Sequence, residues 1–593
     1  MALPRPSDGT GSGPIRGDGP LWLWALVAVA AGIWTAVLIR LSGPAVIDPD
    51  GHASVLYFDR LVSGVRLEVP LLSTPKPLLT LTHGLAWTLT GDWRAVTLVT
   101  VVAFAVAVAA LARAAFRLGG PVMSAAVGVA VAGSAPLLLQ VARGNSVIFA
   151  LAGWAVALDA LARPERRWAL GGVALLAAGL ARSETWLLLP PLVLWVLWEV
   201  VRGRRSAAWL LIAVAGPVLW LGHDWLLTGD ALYSSQVPGR YTDLVAGRNV
   251  IPPGEFASMV ADRYLALPVQ LALGAVGLLA LLRRRAWLWL AGLGLVAGGI
   301  LVVLGAYVRQ GVYVSWRYYD PTDTTLRVLV AIGVAELIIW LLAAAGALGR
   351  RAAADDDREE LTRARASRRV ARRPVPAVDG QVAGPIPGVD PLGPDELEHE
   401  APEPPLDPTE GAPEPEPDPE PPSRAGRAVR AAVTAVAALL AAAGVAAAVW
   451  PAGPADPILA STLDRDQRLS ANARDAIAAL RPFATGGQAI TVSGPQRARV
   501  AVELGLPLVD VRDLFLAGLT SPADGAVAGT VAVFHDADGD RPFERYTELN
   551  RATAGEFGIV MLDPILVDPA RGLYVHEVRT KADPSPPVGG EAR

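Results

Sequence analysis

Residues 21–52 read LWLWALVAVAAGIWTAVLIRLSGPAVIDPDGH. The first part is an apolar run of the length that crosses a bilayer, about 20 residues. It carries no small-residue cleavage pattern at its end, so it reads as a retained helix rather than a signal peptide. The run leaves the membrane at Ile47-Asp48-Pro49-Asp50-Gly51-His52. Ionisable groups are costly to place at a membrane boundary, which makes Asp48 and Asp50 candidates for a functional role. The bland reading is open as well, because Asp-Pro-Asp-Gly is good turn chemistry on its own.

The same pattern repeats outward from this stretch. The chain has 593 residues, 52% of them hydrophobic, and a mean hydropathy of +0.39, too apolar for a soluble chain of this size. Spans are expected near 21–42, 95–116, 121–139, 146–162, 168–182, 186–201, 207–223, 265–282, 286–307, 325–349 and 428–450. Residues 77–91 are apolar but short and Thr-rich, so they suit a re-entrant or interfacial helix. The fold class predicted is mainly α: a polytopic transmembrane helical bundle of about 10–12 helices. Trp22, Trp24, Trp93, Trp186, Trp316 and Trp450 lie near span ends, as interfacial anchors do.

Basic clusters set the orientation. Arg113 and Arg117, Arg163 to Arg167, Arg202 to Arg205, Arg283 to Arg285 and Arg350-Arg351 end alternate spans. The positive-inside rule puts them and the N-terminus in the cytoplasm, so the loops at 43–94, 140–145, 183–185, 224–264 and 308–324 face outward. A Gly/Pro/Ser-rich tail at 1–20 is expected to be disordered. So is a cytoplasmic linker at 350–427, where Pro/Glu repeats such as Glu414-Pro415-Glu416-Pro417 prevent a core from forming. Residues 451–593 alternate helical and strand patterns and predict a small extracytoplasmic α/β domain.

The outward loops hold the unusual polar residues. Asp50 or Asp48 has the chemistry of a general base, and such a base is set by partial burial and a neighbouring cation. Lys76, locked in Pro75-Lys76-Pro77, suits a phosphate as a point charge, or a snorkelling lysine at a helix start. Arg182 and Glu184 read as an ion pair that kinks a hairpin or shapes a pocket. His223-Asp224 ends a span and is placed to orient a substrate hydroxyl, and His52 lies beside the two acids. Arg317, in Trp316-Arg317-Tyr318-Tyr319-Asp320-Pro321, has the planar fork that binds phosphate oxygens, with Tyr318 beside it and Arg309 as a second candidate.

Much chemistry is excluded. The chain has no cysteine, so neither disulfides nor thiolate metal sites are available, and only six histidines. No dinucleotide or P-loop glycine pattern, zinc-protease helix or nucleophile elbow stands in a credible context. Nothing points to nucleic acid. Asp536, Asp538 and Asp540 begin a calcium-loop spacing, but position six is Arg541 where a glycine is needed, so they read as a polar turn.

Taken in order, these segments resemble the GT-C superfamily of integral-membrane glycosyltransferases over about residues 20–349. Pro75-Lys76-Pro77-Leu78 looks like the Lys-Pro-Pro-Leu of the dolichyl-phosphate-mannose and aminoarabinose transferase branches. Residues 228–233 are similar to the turn after a middle helix in such enzymes, and Arg317-Tyr318-x-x-Pro321 to a segment before a late helix. The resemblance implies an inverting transferase of the cell envelope. Its donor would be a sugar on a polyprenyl phosphate, and its acceptor an envelope glycan, lipid or protein. An outer-loop Asp would be the base, Asp50 first and Asp48 second. Lys76, Arg317 and Arg309 would hold the donor phosphate, with His52, Arg182, Glu184, His223, Asp224 and Tyr318 around the substrate. Two departures stand out: Pro49 separates the acids, and His52 takes the place of an aromatic. The acid pair also has the chemistry to share a divalent cation, although many such enzymes need none. An envelope-lipid transporter or flippase, and a non-catalytic membrane assembly protein, are the rival readings.

Overall fold

The computed structural model describes residues 20–41, 47–67, 71, 73–163, 167–203, 208–245, 251–312, 314, 316–371, 424–449, 457–487, 490–492, 497–513, 529–534, 560–568 and 573–580. It is mainly α. The first helices are α1 (Leu21–Leu41), α2 (Pro49–Ser63), α3 (Pro77–Thr90), α4 (Trp93–Ala132), α5 (Ala135–Ala142), α6 (Ser146–Leu161) and α7 (Trp168–Ala181). There follow α8 (Leu189–Val201), α9 (Ala208–Thr228), α10 (Tyr233–Val245), α11 (Phe256–Leu265), α12 (Pro268–Arg283), α13 (Trp287–Arg309) and α14 (Asp320–Ala371). The last are α15 (Arg424–Val449), α16 (Pro457–Thr485) and α17 (Arg497–Leu504).

Among the described residues, Leu21–Ile39, Trp93–Ala132, Trp287–Arg309 and Asp320–Ala347 are long and apolar enough to cross a membrane. Two bent pairs, α5 with α6 and α11 with α12, pass the same test together. The chain is a multi-pass membrane protein. Two expected spans, 95–116 and 121–139, run together in α4, which breaks at Gly119-Gly120 just before Pro121. Proline cannot donate into the ladder, and glycine adopts the positive φ of 73° that residue 120 requires.

Three sequence expectations are corrected. Residues 49–63 and much of 224–264 were expected as loop, yet they form α2, α10 and α11. Helix α14 runs past 349 to Ala371, because its Ala, Arg and Glu residues are strong helix formers. Of the expected interfacial tryptophans, Trp24 packs edge-on against Phe116, Trp186 against Trp220, and Trp93 against His52. Trp22 is exposed, whereas the side chains of Trp316 and Trp450 lie outside the described residues.

Trp340–Val433 is a unit apart, made of the far part of α14 and the start of α15. The rest of the chain is one unit. Its main core joins α1, α4, α5, α6, α12, α14 and α15 through Phe104, Met123, Ile148, Leu281, Ile332 and Ala441. At the end predicted to face the cytoplasm, Asp159 takes Arg117 at 2.9 Å and Arg163 at 3.0 Å, with Arg113 at 3.9 Å. Arg284 pairs there with Glu336 at 2.6 Å.

The C-terminal part is an α/β unit, as expected. Strands β1 (Ile490–Val492), β2 (Val511–Asp513), β3 (Gly529–Phe534), β4 (Val560–Asp568) and β5 (Leu573–Thr580) form one sheet in the order β2-β1-β3-β5-β4. The β1–β2 and β1–β3 pairs are parallel, and β3–β5 and β4–β5 antiparallel. Helix α17 and strand β1 fall within the alternating helical and strand pattern of residues 451–593. The acids Asp536, Asp538 and Asp540 lie outside the described residues.

Close packing between α12 and α14 depends on two glycines. A Cβ on Gly277 would overlap the Leu329 carbonyl, and one on Gly333 the Leu273 carbonyl. Backbones approach this closely only where side chains are absent. Gly333→Ala is therefore expected to destabilise the bundle by about 1–3 kcal/mol. Thermal unfolding in detergent measures it, and an unchanged midpoint would rule the crossing out as a stability determinant.

Candidate active site at the start of the second helix

Helix α2 begins on the acids singled out in the sequence, and their roles differ. Asp48 is extended (φ −60°, ψ 148°), and its carboxylate accepts from Asp50 N at 3.1 Å while Pro49 takes the first helical position. That is an N-cap followed by a pre-organised proline. The other Asp48 oxygen accepts from Asn145 Nδ2 at 3.4 Å, and Asp48 N donates to the Arg143 carbonyl at 2.8 Å. The turn-forming reading of Asp-Pro-Asp-Gly thus holds for Asp48, except that the turn starts a helix instead of ending one.

Asp50 sits in the first turn of α2 and is buried. Its Oδ2 accepts from Lys76 Nζ at 2.7 Å and its Oδ1 from Ser73 Oγ at 2.6 Å. Both charged side chains are nearly out of solvent, 12% and 11% exposed for Lys76 and Asp50. A pair this dry is held by geometry, since desolvation offsets much of the attraction.

The geometry comes from a strap made of Leu71 and residues 73–76. Tyr57, in α2, donates to the Ser73 carbonyl at 2.5 Å. Tyr233, in α10, accepts from Leu71 N at 2.9 Å and donates to its carbonyl at 3.0 Å. Burial, and then Tyr233, pushes the Tyr57 hydroxyl well above its usual range, so it remains a donor. Asp224 anchors the next residue, taking Ser234 N and Oγ both at 2.9 Å. Asp224, expected to line a substrate pocket, holds the start of α10 through these bonds. His223 is buried beside it, with neither ring nitrogen hydrogen-bonded among the described residues. Helix α3 starts at Pro77, right after Lys76, and crosses α2 where a Cβ on Gly84 would run into Phe58.

A second polar group gathers at the ends of α7, α13 and α14. Arg182 pairs with Glu184 at 2.6 Å and lies 5.2 Å from the centre of the Tyr318 ring. Burial works against the Glu184 charge, but Arg182 and its hydrogen bonds outweigh it and hold the carboxyl below its usual range. Lys76 is close enough to add to this. The expected pocket residues Arg182, Glu184 and Tyr318 are thus together and near Lys76. Arg309 is exposed at the end of α13, and no described contact joins it to Asp50 or Lys76. Residue 317 lies in the short 3-10 turn Trp316–Tyr319, with its side chain outside the described residues.

His52 stays beside the acids, with its ring in hydrogen-bonding reach of the Asp48 backbone. Its ring packs edge-on against Trp93 at 4.4 Å, in the seam with the C-terminal unit, where Trp93 Nε1 donates to Glu503 at 3.0 Å. Burial first, and Arg499 second, hold its imidazole well below the usual range. The outward face of α2 is part of one apolar cluster with that unit, through Ala53, Leu56, Tyr57, Ala476, Ile477 and Val500. Arg143 reaches across to Asp466 at 2.7 Å.

Among the described residues no cluster of three ligating side chains is found, and Lys76 occupies one oxygen of Asp50.

These features define a multi-pass α-helical membrane protein with a buried carboxylate–ammonium pair where the ends of several helices meet. No protein-family profile matches the chain, and no curated protein matches it. Two crystal structures of ArnT from Cupriavidus metallidurans are similar, one in the apo state and one bound to undecaprenyl phosphate. Their sequence identities are 14% and 15%, each with a TM-score of 0.49. The match covers 94% of this chain and 98% and 97% of theirs. The functional reading rests on the residues of the site itself.

Sequence reasoning missed Ser73, Tyr57, Tyr233 and Asn145. All four lie in stretches already marked as outward loops, Tyr233 at the end of the 228–233 turn, but none has a charge or spacing that singles it out. Two outcomes follow from the local geometry. Asp48→Ala should cost about 1 kcal/mol in thermal stability through loss of the cap. Burial, then Lys76, lowers His83 from 6.5 to about 3. Its proton is therefore bound only on unfolding, so stability is complete above pH 6.5 and falls as the pH drops toward 3. At pH 5 the loss from His83 alone is about 2 kcal/mol. Unfolding midpoints at pH 7.5 and 5 should differ accordingly, and His83→Gln should reduce that difference.

Proposed function

We propose that this protein transfers a sugar from a polyprenyl-phosphate donor to a hydroxyl of an envelope glycan, lipid or protein, with Asp50 as general base. The observation that carries the reading is the Asp50 carboxylate, buried at a helix start and held between Lys76 Nζ at 2.7 Å and Ser73 Oγ at 2.6 Å. A buried base beside a lysine suits a reaction that takes a proton and releases a phosphate. In the positive-inside orientation this site faces outward, where a lipid-linked sugar enters sideways from the outer leaflet.

Without donor, Lys76 neutralises Asp50. When the donor phosphate arrives, Lys76 turns to it as a point charge. This frees Asp50 Oδ2 for the acceptor. The acceptor hydroxyl gives its proton to Asp50 as its oxygen bonds to the anomeric carbon from the side opposite the phosphate. The bond from that carbon to the phosphate oxygen breaks, and its electron pair stays on the departing polyprenyl phosphate. Lys76 offsets the added charge, and the anomeric centre inverts. Arg182, Glu184 and Tyr318 border the reacting sugar. Ser73 keeps the base aimed.

The test uses wild type, Asp50→Asn and Lys76→Ala in nanodiscs with radiolabelled polyprenyl-phosphate sugars, following label into acceptors and into water. Asp50→Asn keeps the size of the side chain and should lower transfer by about 10²–10⁴-fold while still binding the donor. Lys76→Ala should weaken donor binding too. Full activity in a correctly folded Asp50→Asn protein would refute the assignment of the base.

A further inference from the structure

We infer that Asp320 and Gln140 form a subsite for the donor's sugar ring, a pair of hydrogen-bond acceptors fitted to two neighbouring hydroxyls. The inference rests on the transferase reading above and names the part of the substrate that this end of the pocket takes.

Asp320 opens α14 and Gln140 lies near the end of α5. They are 6% and 4% exposed. Asp320 Oδ2 and Gln140 Oε1 are buried without a hydrogen-bond partner among the described residues. The Gln140 amide is within hydrogen-bonding reach of the Asp320 carboxylate, so the two side chains are neighbours. Buried acceptors left without donors are costly and rare in folded proteins, and each calls for an explanation.

The nearby cations do not supply the donors. Arg182 is engaged with Glu184 at 2.6 Å, and Arg263 with Asp323 at 2.5 Å. What is lacking is a group with two adjacent O–H donors. The phosphodiester of a lipid-linked sugar offers only acceptors and cannot pair with two further acceptors. A sugar diol offers two donors.

The position also fits. The Gln140 carbonyl accepts from Asn145 N at 2.9 Å, and Asn145 in turn holds Asp48. Asp320 is within electrostatic reach of Arg182, which lies against Tyr318. The partner of Arg182, Glu184, is in reach of Lys76. The acceptor pair is therefore joined by packed neighbours on one side to the cap of the Asp50 helix and on the other to the lysine assigned to phosphate.

Binding in nanodiscs tests this with two kinds of probe: bare undecaprenyl phosphate, and undecaprenyl-phosphoryl hexoses and pentoses. Wild type should bind at least one glycosylated lipid about tenfold or more tighter than the bare lipid. Asp320→Asn and Gln140→Leu should each remove most of that advantage and leave the bare lipid's affinity unchanged. The inference is overturned if both variants keep the advantage, or if bare-lipid affinity falls as far as glycosylated-lipid affinity. It is also overturned if wild type binds the bare lipid but prefers no sugar, in which case the phosphate site stands alone. A wild type that binds neither probe would instead sink the transferase reading itself.

Discussion

A carboxylate and an ammonium 2.7 Å apart, nearly shut away from water, are the contact on which this site depends. Neither charge is stable there alone, because burying an unpaired ion costs far more than burying a pair. The surrounding elements therefore have to hold both partners to within a fraction of an ångström. Pro77 starts α3 immediately after Lys76, and Pro49 starts α2 one residue before Asp50. Two tyrosines from different helices pin the backbone between them. The polar residues further out, Asp224 and Ser234, act through this strap.

Helix α2 carries the base on one turn and a docking surface on the next. Its polar start meets α3 and the α5–α6 loop, and its apolar residues meet α16 and α17 of the C-terminal unit. That unit is therefore part of the wall of the site as well as an appended module. The Trp93–Glu503 and Arg143–Asp466 contacts fasten it to the helix bundle on either side of α2. With α2 enclosed in this way, the carboxylate has little freedom to turn toward solvent.

The parts legible in sequence were those with strong local signals. Apolar runs located the helices, and the two separate spans expected at 95–116 and 121–139 meet at the break in α4. Alternation and periodicity found β1 and α17. Lys76 and Asp50 stood out because charge is rare in such surroundings. What sequence did not disclose depends on contacts made at long range. Asp-Pro-Asp-Gly serves equally to end one helix and to cap the next, and only the Asn145 and Arg143 partners decide between them. His52 reads as a site residue from its neighbours in the chain, yet its burial is set by Trp93 and a helix hundreds of residues later. Gln140 and Asp320 carry no motif at all. Their interest lies in two oxygen atoms that folding leaves without donors.

The seam around α2 also sets an order of events in biogenesis. A chain emerging from the ribosome makes α2 and α3 early, but the surface that covers α2 is encoded after the 350–427 segment and α15. Until α16 and α17 have been synthesised and delivered to the same side of the membrane, Tyr57, Leu56 and His52 lack their cover. The early helices must therefore wait, partly assembled, for the last quarter of the polypeptide. A product that stops before α16 and α17 would sit in the membrane with the apolar face of α2 uncovered.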